Sequence, residues 1–552
     1  VRGAEFFDEG KVIPPESTIH DKIDRTFRTK ASGISHSGII YADSDANVAK
    51  AMARLLKCRG TYEEELDYIS NQKEFVEEHA SIFEVLQGIY TPYFAEWQGA
   101  EEECRQHYDD PHPKRDLRIQ AFEELVAGNG RSYRDGTLFS RLWLRKVLYK
   151  MKKNEFAKFG KVPRMIGDLG VAASLQGFRI TDLLKQAMAG EDLHYGNMLT
   201  HFCKAPTTTE LRAIFKNLLD PPDGIKYYFC FFSDDSCLSI RHEDGSVSIY
   251  NLDISGCDAS HTEAIFRALV AITPEIAQDD MQVLVDQCTL PIELIFRGGA
   301  TNHEMRDVND WHPNSLVLQP VDPLTGKDAP RLYSGSTITT IINNLACLMG
   351  AFKIMETQSE TPDELSAAFK SAGYKMTIEK CHDYSDIQFL KNSPAYDING
   401  ELQPLLNIGV LLRSSGTCKG DLPGKAKNNT FKERHDRYQG SLINGMYPNI
   451  SFPLIDNMRK TTLAPDEKSA KMVEQMLKYK HQFEGTATFT SEEVYRRYRL
   501  TELERMELDL DFATAGYAHY YTSTGASTIL QRDYGLTCAT GWHVPTRYRE
   551  YL

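Results

Sequence analysis

The stretch that most restricts the fold is "YYFCFFSDDSCLSIRHEDGSVSIYNLDISGCDASH", residues 227–261. "YYFCFF" (227–232) is an aromatic, apolar run of strand type, and the "SDD" after it has the composition of a turn. "SCLSIR" (236–241) makes the return strand, and "HEDG" (242–245) a second turn with Gly where a positive φ suits. "SVSIYNL" (246–252) alternates polar with apolar or aromatic residues, as a half-buried strand does. The chain therefore runs up, turns at Asp234 and Asp235, runs down, turns, and runs up again to Asp253. With the second turn centred between Glu243 and Asp244, Asp253 returns to the level of Asp234 on strands about 4.8 Å apart.

Carboxylates gathered at one sheet edge can hold two divalent ions roughly 3.5–4 Å apart, the arrangement for in-line attack on phosphorus. Hard oxygen ligands favour Mg²⁺ or Mn²⁺. Aspartates also favour turns and strand ends on ordinary surfaces, and "SDD" alone fits that plainer reading. Asp258 strengthens the case for a site. "SHTE" (260–263) reads as a capping box, with Ser260 at the helix N-cap and Glu263 reaching back. Asp258 is then unneeded for capping and open to a ligand.

The rest of the chain bounds the answer. A length of 552 residues allows three or four domain-sized units or one large multi-lobed enzyme. The hydrophobic fraction of 41% and charged fraction of 25% are those of an ordinary globular protein. No apolar run approaches the roughly 18 residues of a membrane span, so stable membrane insertion is not expected. The opening "VRGAEFFDEGKVIPPEST" shows no basic-then-apolar signal pattern. The 11 cysteines are scattered without a Cys-x-x-Cys pair, as reduced intracellular thiols would be. A net charge of −14 argues against coating nucleic acid with the whole surface. Locally the sign reverses: "RKVLYKMKKNEFAKFGKVPR" (145–164) holds eight Lys or Arg and one Glu.

Helical spacing is expected at 47–58, 63–90, 262–272 and 337–352, with β structure from 226 to 260. "KVPRMIGDLG" breaks the early helical pattern as a loop or strand would. The Gly-, Ser-, Asn- and Lys-rich segment 414–430 is the linker candidate. Beyond it, 466–483 and 491–512 have the pattern of amphipathic helices.

"DISGCDAS" (253–260) resembles motif A of viral RNA-dependent RNA polymerases, with two Asp separated by four residues and followed by Ala-Ser. "SGSTITTIINN" (334–344) is similar to their motif B, and "SDD" to motif C, where Ser233 replaces the usual Gly. "GYKMTIEK" (373–380) is similar to motif D, "FLKNSP" (389–394) to motif E, and "KFGKVPRMI" (158–166) to the basic motif F. The usual order is A, B, C; here it is C, A, B. That order resembles the permuted-palm polymerases of permutotetraviruses, the Thosea asigna virus type, and of birnaviruses. The Asp-Asp form of motif C favours the permutotetravirus side. The motifs span 158–394, leaving the flanking parts without one.

The resemblance implies an α+β right-hand fold with fingers, palm and thumb, and an antiparallel palm sheet packed on helices. Its divisions would be a polar N-terminal extension (1–30), fingers (31–225), palm (226–264), a fingers insertion (265–330), palm again (331–410) and a mainly helical thumb (411–552). It implies template-directed RNA synthesis with two Mg²⁺ or Mn²⁺ ions, RNA template and product and NTPs as partners, and a location in the host-cell cytoplasm. Asp253 and Asp234 would bind both metals, with Asp235 assisting. Thr339 and Asn343, four residues apart, share a helix face behind the flexible Ser334-Gly335 loop. Asn343 and Asp258 would recognise the ribose 2′-hydroxyl, which both donates and accepts. Lys158, Lys161 and Arg164 would clamp the triphosphate. Lys380 would protonate the leaving pyrophosphate, with Lys375 competing for that role. A metal-dependent nuclease and a non-catalytic RNA-binding scaffold are the alternatives. Ser17 and Thr18 offer hydroxyls for protein-linked initiation, and the same N-terminal stretch would equally suit docking on a second copy as a homodimer.

Overall fold

Tyr227–Phe232 is apolar at every position because both faces of its strand are covered. Tyr227, Phe229 and Phe231 pack into the main core, whereas Tyr228 and Cys230 pack into a second cluster on the other side. A strand buried on both faces reads as a continuous apolar run.

The computed structural model describes residues 26–28, 45–107, 115–126, 146–152, 162–204, 206–296, 315–414, 417–419, 488–514 and 524–535. Its strands in chain order are β1 (Thr26–Arg28), β2 (Val147–Met151), β3 (Met165–Asp168), β4 (Leu193–Tyr195), β5 (Met198–Phe202), β6 (Tyr227–Phe232), β7 (Asp235–Arg241), β8 (Val247–Ile254), β9 (Ile292–Ile295), β10 (Ser315–Leu318), β11 (Met376–Cys381), β12 (Asn392–Tyr396), β13 (Leu402–Leu406) and β14 (Thr417–Lys419). Six of them form the central sheet, in the order β11-β8-β7-β6-β5-β4. The up–down–up path through β6, β7 and β8 is antiparallel throughout, and β11 adds antiparallel to β8.

The expected all-antiparallel sheet is corrected at one place: β5 and β6 run parallel. The helix Thr208–Leu219 between them provides the crossover that a parallel pair requires. Its Leu211, Ile214, Phe215 and Leu218, with Ile387 and Phe389, cover the second face of the sheet. On the first face the helix Thr339–Thr357 packs on β5 and β6, with Val171–Gly190 against β5 and Pro362–Ser371 against β11, and Tyr62–Glu78, Ala80–Tyr90 and Glu263–Ile272 extend the same core. The division placed at residue 225 thus falls inside one sheet, since β4 and β5 belong with the strands that carry the aspartates. A second, four-stranded sheet, β10-β9-β2-β3, joins the segment around 147–168 to the one around 292–318.

The helix Thr339–Thr357 is apolar on nearly all sides and runs through the middle of the core. It extends past the expected end at 352 and stops at Gln358, whose φ of 49° is left-handed. Gly350 lets a neighbour approach: a Cβ there would lie 1.9 Å from a ring carbon of buried Phe369. The expected helix 63–90 is two helices divided at His79, whose ring stacks on Phe75 and reaches Glu356 with Nε2 at 2.6 Å. The expected helix 491–512 also divides, at Arg499 with φ 49°, leaving Ser491–Tyr495 and Glu502–Thr514. Segment 466–483 lies outside the described residues. Part of the linker candidate is a strand, since β14 pairs antiparallel with β1. Nine described cysteines carry free thiols. Among the described residues no helix is long and apolar enough to cross a membrane.

Candidate functional site: an acidic turn beside an amide–carboxylate pair

The hairpin between β7 and β8 pairs one residue out of its expected register. Asp253 stands opposite Asp235, not Asp234. His242 N–H donates to Ser246 C=O at 2.8 Å, so the loop has three residues, Glu243, Asp244 and Gly245. Gly245, at φ 82°, makes the extra left-handed step that a three-residue loop uses.

The β6–β7 turn has only two residues, Ser233 and Asp234, between the paired Phe232 and Asp235. Ser233 has φ 55°, a conformation that Gly adopts without strain and Ser does not. The helix Thr339–Thr357 holds it there by three contacts. Ser233 N–H donates to Asn344 Oδ1 at 2.7 Å, its C=O accepts from Cys347 Sγ at 3.1 Å, and its Oγ accepts from Asn343 Nδ2 at 3.1 Å. Strained backbone persists where its surroundings over-determine it, and here one helix does so. Asn344 and Cys347 were not singled out from sequence; the adjacent Asn pair on an otherwise apolar helix was the available signal.

Three carboxylates meet at this edge. Desolvation by the surrounding protein pushes Asp235 up to about 7; the Leu390 N–H and Lys391 oppose the shift, and the charges of Asp234 and Asp253 add to it. Asp253 is pushed up to about 6, by desolvation first and the Asp234 charge second, against Lys391. Asp235 is tied to the protein, its Oδ2 accepting from Leu390 N–H at 2.9 Å. Leu390 and Lys391 both have positive φ, 51° and 62°, which turns that N–H toward the acid. Among the described residues no group of three or more His, Cys, Asp or Glu side chains forms a cage for a metal by itself. Mg²⁺ commonly takes one or two carboxylates plus substrate phosphates, and crowded acids with raised pKa values fit a cation that arrives in that way.

A pH prediction follows from Asp235. Its folded-state pKa lies above the unfolded value, so its contribution to stability is fully present below about pH 4 and is lost as pH rises through about 7. Asp235→Asn should therefore raise the thermal midpoint of the metal-free protein at pH 8, raise it less at pH 5, and leave it nearly unchanged at pH 4. Equal midpoint changes at all three values would contradict the shift.

A second group lies on the other side of Asn343. Asp258 Oδ1 accepts from Asn343 Nδ2 at 3.0 Å, and Asp258 Oδ2 accepts from Ser334 Oγ. Asp258 sits in a four-residue helix, Cys257–Ser260, entered through Gly256 at φ 56°. The expected capping box is absent. The next helix, Glu263–Ile272, has Thr262 as its N-cap, and Ser260 Oγ instead donates back to Gly256 C=O at 2.7 Å. Gln72 from a distant helix accepts from the Thr262 N–H at 2.8 Å, and among the described residues no side chain caps the first turn of Glu263–Ile272.

Ser334 C=O accepts from Gly167 N–H of β3 at 2.7 Å. Gly335 has φ 104°, and a Cβ there would lie 2.7 Å from Gly167 C=O, so the position admits Gly alone. Thr339 donates its hydroxyl to Ser336 C=O at 2.9 Å, which fastens the first turn of its helix. Arg164 is exposed just before β3, with its C=O bonded to Lys152 N–H at 2.9 Å. Lys158 and Lys161 lie outside the described residues.

Lys380 is not brought to the aspartates. It pairs with Tyr250, three residues along β11 from Thr377, which is the residue opposite Asp253. An odd offset puts it on the other face of the strand. Lys375 donates Nζ to Arg59 C=O at 2.9 Å. The lysine whose charge reaches both Asp235 and Asp253 is Lys391, with Nζ 2.6 Å from Asp533 C=O.

No protein-family model matches the sequence, and no curated protein matches it. Solved structures do. The X-ray structure of the birnavirus VP1–VP3 complex aligns with a TM-score of 0.43 and 15% identity, over 72% of this chain and 57% of that one. The RNA polymerase VP1 from Infectious Pancreatic Necrosis Virus aligns with a TM-score of 0.41 and 13% identity, over 96% of this chain and 70% of that one. This chain thus spans little more than half the length of the first. Matches this shallow carry no weight for activity.

The remaining polar groups surround Asn343. Its Oδ1 accepts from His261 Nε2 at 2.6 Å and from Cys257 Sγ at 3.3 Å. The other His261 nitrogen, Nδ1, is 2.9 Å from Tyr374 Oη. Neither His261 nor Tyr374 was picked out from sequence.

Proposed function

We propose that the chain is a template-directed RNA-dependent RNA polymerase with a permuted palm, joining NTPs to an RNA 3′-hydroxyl. One observation supports this above the others: a single amide, Asn343 Nδ2, donates both to Ser233, which precedes Asp234 in the acidic turn, and to Asp258. A group of acids suited to a cation–triphosphate complex therefore adjoins an amide–carboxylate pair suited to a sugar hydroxyl. The three-residue loop between β7 and β8 lets Asp234 precede Asp253 in the chain while both reach one sheet edge. Motif order C, A, B is thereby compatible with the usual placement in space.

Divalent cations held by Asp253 and Asp234, with Asp235 beside them, would neutralise the triphosphate and activate the 3′-hydroxyl. Asp258 accepts from the 2′-hydroxyl of the incoming nucleotide, and Asn343 donates to it with one of its two N–H groups in exchange for a present acceptor, Ser233 Oγ or Asp258 Oδ1. Ser334 steadies Asp258, and the Ser334-Gly335 loop docks on β3. Arg164, with Lys158 and Lys161, meets the triphosphate as a basic clamp. Lys380 has no part in this reading, given its face of β11.

A nuclease would use clustered acids but has no need of an amide–carboxylate pair for an incoming sugar; a scaffold needs neither. Primer extension on an RNA template, with and without Mg²⁺, separates the three. Lengthened product only with Mg²⁺ and NTPs supports polymerisation. Shortened RNA would indicate a nuclease, and bound but unchanged RNA a scaffold.

A further inference from the structure

The buried chain behind Asn343 has one consistent proton arrangement. The Asp258 carboxylate accepts from the amide, so Asn343 must turn its NH₂ toward Asp258 and its Oδ1 away. Oδ1 then faces His261 Nε2 at 2.6 Å, and that nitrogen must carry a hydrogen. In a neutral ring the other nitrogen, Nδ1, is an acceptor, and Tyr374 Oη at 2.9 Å is placed to donate to it. Burial holds the His261 imidazole well below its usual pKa, in keeping with the neutral ring. His261 is fully buried, as is Tyr374. Neither touches the acidic turn directly.

We propose that His261 is a positioning residue that fixes the Asn343 amide with its N–H groups toward Asp258, and so sets the preference for ribose over deoxyribose. The sugar preference rests on the polymerase reading; the orientation of the amide rests on the hydrogen bonds alone. Without the Nε2–H donor the Asn343 oxygen keeps only the weak Cys257 Sγ donor, and the amide is less firmly held with its N–H groups toward Asp258. The 2′-hydroxyl then loses its aligned donor, and ribonucleotides lose their advantage over deoxyribonucleotides.

The test compares incorporation of an NTP with that of the matching dNTP, as a ratio of kcat/KM, in the full chain and its variants. His261→Leu removes the donor and should lower the ratio by about tenfold, the scale of one buried hydrogen bond. His261→Gln keeps an N–H near the position of Nε2 and should restore most of it. Tyr374→Phe leaves the ring unanchored at Nδ1 and should lower the ratio by about threefold, a milder loss within the same range; it serves if the Leu variant does not fold. An unchanged ratio in the folded variants overturns the proposal. So does an equal fall for both nucleotides that Gln does not rescue, because that is the mark of a merely structural residue. If the wild type extends no primer, the polymerase reading fails, and crystal structures of the variants decide the orientation. An Asn343 amide that keeps its hydrogen bond to Asp258 in His261→Leu overturns the proposal, whereas one that turns away in Leu and is retained in Gln upholds it.

Discussion

Replacing Asp253 with Ala is expected to lower nucleotide incorporation by about 10³-fold or more while binding of primer–template RNA persists. The size follows from what bound cations supply: several kcal/mol of stabilisation for charge developing on phosphoryl oxygens, with each ~1.4 kcal/mol worth tenfold in rate. The persistence of RNA binding follows from electrostatics, since removing a carboxylate takes away no cation that could contact phosphate. Asp253 and Asp234 should behave alike, because the charge of Asp234 acts on Asp253. Asp235 should differ. Its Oδ2 is held by the Leu390 N–H, and an Asn oxygen can keep that bond. Asp234→Asn is therefore expected to match Asp253→Ala, and Asp235→Asn to cost roughly 10–100-fold, the scale of a group that orients ligands. Steady-state primer extension with parallel RNA-binding titrations measures all three. Equal losses for Asp234→Asn and Asp235→Asn would reverse the roles given to the two neighbours.

The second large effect is expected at Asn343. Asn343→Ala should reduce the preference for ribonucleotides over deoxyribonucleotides by on the order of 10²-fold. A site built to hydrogen-bond a hydroxyl rejects analogues lacking it strongly, because its polar groups are otherwise left unpaired. The substitution also removes one of the three contacts that hold Ser233 at its positive φ. A moderate fall in overall turnover should accompany the lost preference as the acidic turn loosens. Asp258→Ala should lose the preference without that fall, since Asp258 does not contact the turn residue. Competition between an NTP and its dNTP in one extension assay reads the ratio directly. An unchanged preference in Asn343→Ala would remove the amide from sugar recognition.

Much of this arrangement was legible in the residues themselves. Alternation and turn composition between 227 and 254 determine three adjacent strands, and Asp-x-x-x-x-Asp at 253–258 places one acid on a strand end and the other on a short helix. What failed depended on partners remote in sequence or on one backbone angle. The hairpin register slipped by one because Gly245 takes a left-handed step and lengthens the loop to three residues. Ser260 turns its hydroxyl back to Gly256 C=O, and the acceptor for the Thr262 N–H comes from Gln72, 190 positions earlier. Lys380 matched a motif by letter but falls on the wrong face of β11, which becomes visible only once Thr377 is seen to pair with Asp253. His261 and Tyr374 are 113 positions apart, and nothing local marks either as a partner of Asn343. The parallel β5–β6 pair was hidden because a helix and its flanking turns separate two strands that were assigned to different lobes.

The polymerase reading depends on Asp234 and Asp253 serving one cation together, the first from the β6–β7 turn and the second from the end of β8. Anomalous diffraction from crystals of the full chain soaked with Mn²⁺ and a ribonucleoside triphosphate tests this most directly. The expected result is an Mn²⁺ peak coordinated by the carboxylates of both residues and by phosphate oxygens of the nucleotide. Mn²⁺ bound elsewhere, with Asp234 and Asp253 both uncoordinated in the nucleotide complex, would contradict it.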